Sequence, residues 1–230
     1  MFIERSELAD AAVLVPLRSL RDGKLRLADA LGTEARAELI KSMAEIVLAA
    51  AGEIDVLVVH EDPAVAEWAE ACGASALRPD QPGLNKAVAA GHRHLRAAGY
   101  ERVIIAHADL PLAKDLSVML QPAPITIAPD RHRDGTNVMC VPAALEFPFA
   151  YGPGSFRAHQ DASRSLGIEP VEVNVPDLSW DVDNPEDLQT PDQTLAQTPD
   201  QTLAQTPDQT LAETPDQTLA QTLPTHESQS

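Results

Sequence analysis

Val103-Ile104-Ile105-Ala106-His107-Ala108-Asp109-Leu110-Pro111 is an apolar run that ends on a carboxylate. Its β-branched residues, with a helical pattern before them and a proline after, predict a strand buried on both faces and therefore a parallel one. Asp109 then stands at the carboxyl end of that strand, where open α/β sheets bind their ligands. An acid there costs desolvation unless a cation or hydrogen-bond donors meet it, and a metal-bound phosphate answers both needs. The competing reading makes Asp109 the cap of a helix starting near Leu112.

Outward from this run the pattern alternates. Ala12 to Pro16 reads as a short strand, and Thr33 opens a long helix in which Leu39, Met43, Ile46, Val47 and Ala50 recur at helical spacing. Ile54 to His60 and Ala74 to Leu77 read as strands, Pro63 to Cys72 and Leu84 to Ala98 as helices. After Asp109 a short helix is expected, then strands at Ile125 to Ala128, Asn137 to Val141 and Val171 to Val175, with helices at Pro153 to Leu166 and from Pro185. Strand and helix in this order predict an α/β fold with a mostly parallel sheet covered on both faces, its later strands supplying an antiparallel edge or a lid.

From Thr190 the chain repeats TPDQTLAQ, again at Thr198, as TPDQTLAE at Thr206, and once more at Thr214. One leucine in eight residues cannot build a core, and a proline in every unit interrupts any long helix. Residues 1–188 are therefore expected to form one domain, and 189–230 a disordered low-complexity tail. The chain carries a formal charge of −18, and the tail holds six acids and no Lys or Arg, so the remainder stands at −12. Such a field argues against nucleic acid, which needs a basic surface, but not against a small anion held by local cations. Cys72 and Cys140 lie in apolar surroundings without metal-ligand spacing and read as buried thiols of a reducing compartment. No signal-peptide pattern and no membrane-length apolar stretch is present, so a cytoplasmic location is expected.

The candidate chemistry falls in three places. Arg18, Arg21, Lys24 and Arg26 cluster around Gly23 after the first strand, where nucleotide phosphates are gripped; the alternative is an ordinary charged loop. WDVDNPEDL, residues 180–188, is a second acidic group, in which Asp181 and Asp183 leave the same face of an extended segment. One of them would join Asp109 around a divalent cation, although Asp183 and Asn184 could equally open a helix. Asp134-Gly135-Thr136-Asn137 and Tyr151-Gly152-Pro153-Gly154-Ser155-Phe156 are small-residue loops, the second leading into a helix whose N-terminus, with Ser155, suits a phosphate; either could be only a turn. His92 and His94 read as solvated, and His107 and His159 as weaker candidates near Asp109 and the phosphate helix.

In order and combination, VPLRSL with GKLRL, Leu84-Asn85, ADLP, APDR with DGTN, YGPGSF with His159, and DVDNPEDL resemble the CofC and FbiD guanylyltransferases of coenzyme F-420 biosynthesis, over Val13 to Leu188. The resemblance implies a three-layer, Rossmann-like (GT-A-like) nucleotidyltransferase fold. It implies GMP transfer from GTP to the phosphate of a three-carbon acid, with phosphoenolpyruvate as first choice and 2-phospho-L-lactate or 3-phosphoglycerate as the others. It further implies that Lys24 and Arg26 hold the GTP phosphates and that Arg18 binds the nucleotide with them, with Lys24, Arg26 and Asp109 catalytic. Leu84 and Asn85 would lie near the nucleoside. Asp109, Asp183 and, as a third, Asp181 would bind Mg2+, and Thr136, Gly152 and Ser155 the acceptor. A homodimer is compatible with this reading. Arg18 departs from the lysine common at its position, and Arg21-Asp22-Gly23 from small apolar residues. The alternatives are another nucleotidyltransferase, a nucleotide-sugar glycosyltransferase, or a non-catalytic nucleotide-binding scaffold.

Overall fold

The computed structural model describes Leu8 and residues 10–21 and 23–189. The expected repeat tail lies outside the described residues. Seven strands form one sheet in the order β3-β2-β1-β4-β6-β5-β7, where β1 is Ala11–Pro16, β2 Asp55–Val59, β3 Ser75–Leu77, β4 Arg102–Ala106, β5 Thr126–Pro129, β6 Thr136–Pro142 and β7 Val171–Glu172. β1 pairs in parallel with β2 and β4, β2 with β3, and β5 with β7; β6 alone runs antiparallel, between β4 and β5. The antiparallel strand is thus interior, and the two-residue β7 forms the edge.

The alternation of side chains along the strands divides the core in two. Val13, Val15, Ile104 and Ala106 face α1 (Thr33–Ala49) and α2 (Pro63–Ala71), meeting Ile40, Ala44, Val47, Val65 and Trp68. Ala12, Leu14, Val103 and Ile105 face α3 (Leu84–Ala98) and α4 (Ser155–Ser165), meeting Ala87, Val88, Leu95 and Phe156. Both faces are covered, which is why β1 and β4 are continuous apolar runs; each fully buried Val, Leu or Ile contributes about 1.5–3 kcal/mol. Helix α3 approaches the sheet through Gly91, where an added Cβ would lie 2.4 Å from Leu14 Cδ1 and 2.8 Å from Val59 Cγ2.

Four expectations are corrected. No helix begins near Leu112: Leu110, Ala113 and Leu116 are drawn into the core, the Leu116 amide bonds the Ala50 carbonyl, and only a 3-10 turn forms, at Ser117–Met119. Asp109 therefore caps no helix. The expected last strand stops after Glu172 and yields to a short helix, α5 (Pro176–Ser179), which proline starts and which buries Leu178. Cys140 is buried but Cys72 is exposed, because it follows the end of α2. His92 is buried, its Nε2 donating to the Pro142 carbonyl at 3.2 Å, while His94 is exposed. Among the described residues no helix is long and apolar enough to cross a membrane.

Candidate active site

The carboxyl ends of the parallel strands β1, β2 and β4 face one side of the sheet, and two adjoining cavities open there. The smaller, about 240 Å³, is lined by Arg18, Lys24, Leu84, His107 and Asp109 among others. The larger, about 540 Å³, shares Pro16, Leu17, Arg18 and Leu84 with it and adds His60, Glu61, Pro82 and Gly83.

Lys24 closes the loop after β1 in a left-handed conformation, φ 54° and ψ 42°, immediately before the 3-10 turn Leu25–Leu27. That conformation costs a non-glycine residue on the order of 1 kcal/mol. Leu27, fully buried against Met43 and Val182, anchors the turn that imposes it. The result is that the Lys24 ammonium donates to Asp109 Oδ2 and, at 2.7 Å, to Asp183 Oδ1. Burial works against the charge on Lys24, but the carboxylates of Asp109 and Asp183 outweigh it and hold its pKa above the usual lysine value. Burial likewise works against the Asp109 carboxylate, and Lys24, with His107 nearby, holds it below the ordinary range. Asp109 Oδ1, by contrast, is buried without a hydrogen-bond partner.

Asp183 is placed by a strap, residues 180–188, which is braced within itself and tied to the rest of the fold through Val182 and Arg131. The Val182 amide donates to the Asp109 carbonyl at 3.2 Å. Asp187 Oδ2 accepts the amides of Asp183 at 2.9 Å and Asn184 at 2.7 Å, closing a capping box with Asn184 on the 3-10 turn Pro185–Leu188. Arg131, just beyond β5, donates to Asp187 Oδ1 and at 3.0 Å to the Asp181 carbonyl, and its guanidinium lies 4.4 Å from the centre of the Trp180 ring. Asp181 faces Asn137 and Arg131; its Oδ1 is 3.5 Å from Asn137 Nδ2. Burial pushes its pKa up, and the charges of Asp109 and Asp183 push it further. Lys24, Asp109, Asp183 and Asp181 are therefore brought together, with Asp183 sharing the lysine and Asp181 turned toward the strap. Arg26 is more distant, 4.0 Å from Asp183 Oδ2 and largely exposed.

The other candidates form two further groups. Arg18 pairs with Glu61 at 3.2 Å. Leu84 is 40% exposed at the cleft, and Asn85 clasps the Tyr151 backbone, its Oδ1 accepting at 2.6 Å and its Nδ2 donating at 3.1 Å. Thr136, Ser155 and His159 make a buried network: Ser155 Oγ accepts the Thr136 amide at 3.0 Å, and His159 Nε2 accepts the Ala150 amide at 3.0 Å. With Nε2 an acceptor, the ring proton sits on Nδ1 and is donated to Thr136 Oγ1 at 3.0 Å. Each hydroxyl oxygen thus accepts one bond and keeps its proton to offer. Gly152 and Gly154 adopt φ 135° and 73°, open only to glycine without strain, and aim the loop at the start of α4. His107 Nε2 and the Tyr151 hydroxyl, whose rings lie 5.1 Å apart, are buried without hydrogen-bond partners. Among the described residues no group of three or more His, Cys, Asp or Glu is arranged to hold a metal ion.

Sequence reasoning assigned no part to Arg131, Asp187 or Glu61. Arg131 and Arg133 flank His132 just after β5, and nothing in their spacing marks Arg131 as the one that reaches Asp187.

Residues 11–190 match the family described as guanylyl transferase CofC like. A phosphoenolpyruvate guanylyltransferase of Rubrobacter xylanophilus is 38% identical over 184 residues, covering 76% of this chain and 90% of the relative. Among solved structures, a candidate nucleotide-diphospho-sugar transferase from Desulfovibrio desulfuricans G20 superposes with a TM-score of 0.63 at 15% identity, covering 78% of this chain and 85% of that one. A CMP:2-keto-3-deoxy-manno-octonic acid synthetase complexed with CTP superposes with a TM-score of 0.51 at 17% identity, covering 81% and 98%. With the family match running over the whole sheet, the β1 loop and the strap that carries Asp183, the chain belongs to the CofC-like guanylyl transferases.

Proposed function

We propose that the protein transfers GMP from GTP to the phosphate of a three-carbon acid, phosphoenolpyruvate before 2-phospho-L-lactate or 3-phosphoglycerate, as a step of coenzyme F-420 biosynthesis. The observation that carries this reading is the Lys24 ammonium held between Asp109 and Asp183 at the end of β4, on the wall of a cleft large enough for a nucleotide. The family supports the guanylyl group, and the name of the Rubrobacter relative supports phosphoenolpyruvate.

An acceptor phosphate oxygen attacks the α-phosphorus of GTP, the new P–O bond forms as the bond to the bridging oxygen breaks, and pyrophosphate leaves with the electron pair. No protein nucleophile is required, so the work is positioning and charge neutralisation. Lys24 is kept protonated by its two carboxylates and supplies a fixed positive charge to the phosphates; Arg26, exposed at the rim, adds donors, and Arg18 lines the nucleotide cleft beside Glu61. Thr136 and Ser155 offer hydroxyl protons, and the Gly152 loop its backbone, to the acceptor's anionic groups.

The donor set also fits Mg2+. Asp109 Oδ1 is a hard, buried oxygen with no partner, Asp183 is a second carboxylate sharing the same ammonium, and Mg2+ characteristically takes one or two carboxylates and fills its shell with water and phosphate oxygens. Asp109 and Asp183 would hold it, Asp181 facing Asn137 and Arg131 instead, and when bound it would neutralise phosphate charge. The deciding experiment measures pyrophosphate release from GTP, CTP and UTP with each of the three acids. Release confined to GTP and dependent on an acid, greatest with phosphoenolpyruvate, is expected; release independent of any of these acids overturns the reading.

A further inference from the structure

The larger cavity contains one carboxylate the chemistry above does not use. Glu61 follows β2, and its side chain is fixed at both oxygens: Oε1 accepts the Gly83 amide at 2.8 Å, and Oε2 lies 3.2 Å from Arg18 Nε. Each oxygen keeps a second acceptor site. The walls beside it are apolar, from Pro16, Leu17 and Leu84, and Leu84 is one of few large hydrophobic residues left exposed among the described residues. This cavity shares Pro16, Leu17, Arg18 and Leu84 with the one lined by Lys24, so a nucleotide whose phosphates met Lys24 would bring its base to these walls.

We propose that Glu61 reads the guanine base and so sets the nucleotide specificity of the transfer, an inference that rests on the guanylyl transfer proposed above. Guanine presents two adjacent donors, N1–H and the 2-amino group, which match the two free acceptor sites of a carboxylate. Adenine and cytosine offer one donor beside an acceptor nitrogen, and uracil one donor between two carbonyls, so each would set a lone pair against the Glu61 charge. A site built to pair a donor rejects the analogue lacking it far more strongly than an apolar pocket can. Arg18 and the Gly83 amide hold the carboxylate in place for this recognition, which gives the exposed Arg18 a positioning role.

Glu61→Gln and Glu61→Ala in the full chain test this, assayed with GTP, ITP (which lacks the 2-amino group), ATP and CTP, alongside calorimetric binding of GTP and ITP. The wild type is expected to prefer GTP. Glu61→Gln should lower kcat/KM for GTP about 10- to 100-fold, mainly through KM, and for ITP, which keeps N1–H but not the 2-amino group, by a smaller factor, so that the GTP-to-ITP ratio falls while acceptor KM is unchanged. A GTP-to-ITP ratio preserved in both variants, or an equal loss with every nucleotide, overturns the proposal. Binding separates it from the reaction itself: a protein that binds GTP over ITP through Glu61 but transfers nothing retains this inference and loses the proposed reaction.

Discussion

The Val182 amide donates to the Asp109 carbonyl at 3.2 Å, so the backbone of the strap is bonded directly to the end of β4. The two segments that carry the acids lie more than seventy residues apart in the chain, and this bond sets Asp181 and Asp183 on either side of a point fixed by Asp109. Asp183 then reaches the ammonium that Asp109 also holds, while Asp181 turns to Asn137 and Arg131. The acid pair is a property of the strap's backbone as much as of its side chains.

Asp109→Asn should remove most of the activity. It keeps the shape of the side chain but deletes the charge that balances Lys24 and the oxygen offered to a cation. GMP transfer is expected to fall by at least about a thousandfold with little change in Tm, and EDTA should abolish the wild-type reaction until Mg2+ is restored. Pyrophosphate release alongside a thermal melt checks this; near-normal turnover by the variant refutes the role of Asp109.

Arg131 is predicted to act through Asp183. Arg131→Lys keeps a charge but loses the forked geometry that reaches Asp187 and the Asp181 carbonyl together, and should cost about tenfold in kcat/KM. Arg131→Ala leaves Asp187 only its two amide partners and should also cost about 1–3 kcal/mol of stability. The decisive comparison is a double-mutant cycle: once Asp183→Asn is in place, Arg131→Lys should lower activity little further. Fully additive losses would show that Arg131 acts elsewhere.

The parallel half of the fold was legible because buried strands write themselves as apolar runs: β1, β2 and β4 appear where Val13, Val58 and Ile104 predict them, and α3 spans Leu84–Ala98 as read. What failed was what tertiary contacts decide. The Leu112 helix is replaced because the Leu116 amide finds the Ala50 carbonyl, and His92, polar in the sequence, is buried because Pro142 offers it an acceptor. At the candidate site, Lys24 and Asp109 stood out by charge at strand ends and Asp183 by its acidic cluster, but that the three meet could not be read from positions so far apart in the chain. Arg131 and Glu61 were silent since each works through partners far along the chain, Asp187 and Gly83.

A chain ended at Gln189 should transfer GMP as the full-length protein does. The family match stops at residue 190, and every residue named in the candidate site precedes it. Equal kcat/KM and Tm for the two lengths is the expected result; loss of activity on truncation would show that the repeats take part in the reaction.

Gly91→Val should destabilise the fold without touching the chemistry. Its Cβ would lie 2.4 Å from Leu14 Cδ1 and 2.8 Å from Val59 Cγ2, both in the core beneath α3, so the helix must lift or the strands shift. Overpacking of this kind costs about 1–3 kcal/mol, and a glycine in mid-helix gives back at most about 1 kcal/mol when replaced. Urea denaturation should show a lower midpoint with an unchanged slope; an unchanged midpoint would mean that α3 packs less closely than its position implies.

Burial, with His107 adding a smaller push, lowers the His159 pKa to about 4, and Nε2 is committed as an acceptor to the Ala150 amide. The folded protein therefore resists protonating a ring that the unfolded chain protonates near pH 6.5. Between these values the unfolded state binds more protons, so stability falls as pH drops from 6.5 toward 4 and is unaffected by this group above 7. At pH 5 the loss attributable to His159 is about 2 kcal/mol relative to neutral pH. Urea melts at pH 7.5 and 5.0 for the wild type and for His159→Gln should show the variant less stable at neutral pH but losing about 2 kcal/mol less on acidification. Equal acid sensitivity of the two proteins would place the titrating group elsewhere.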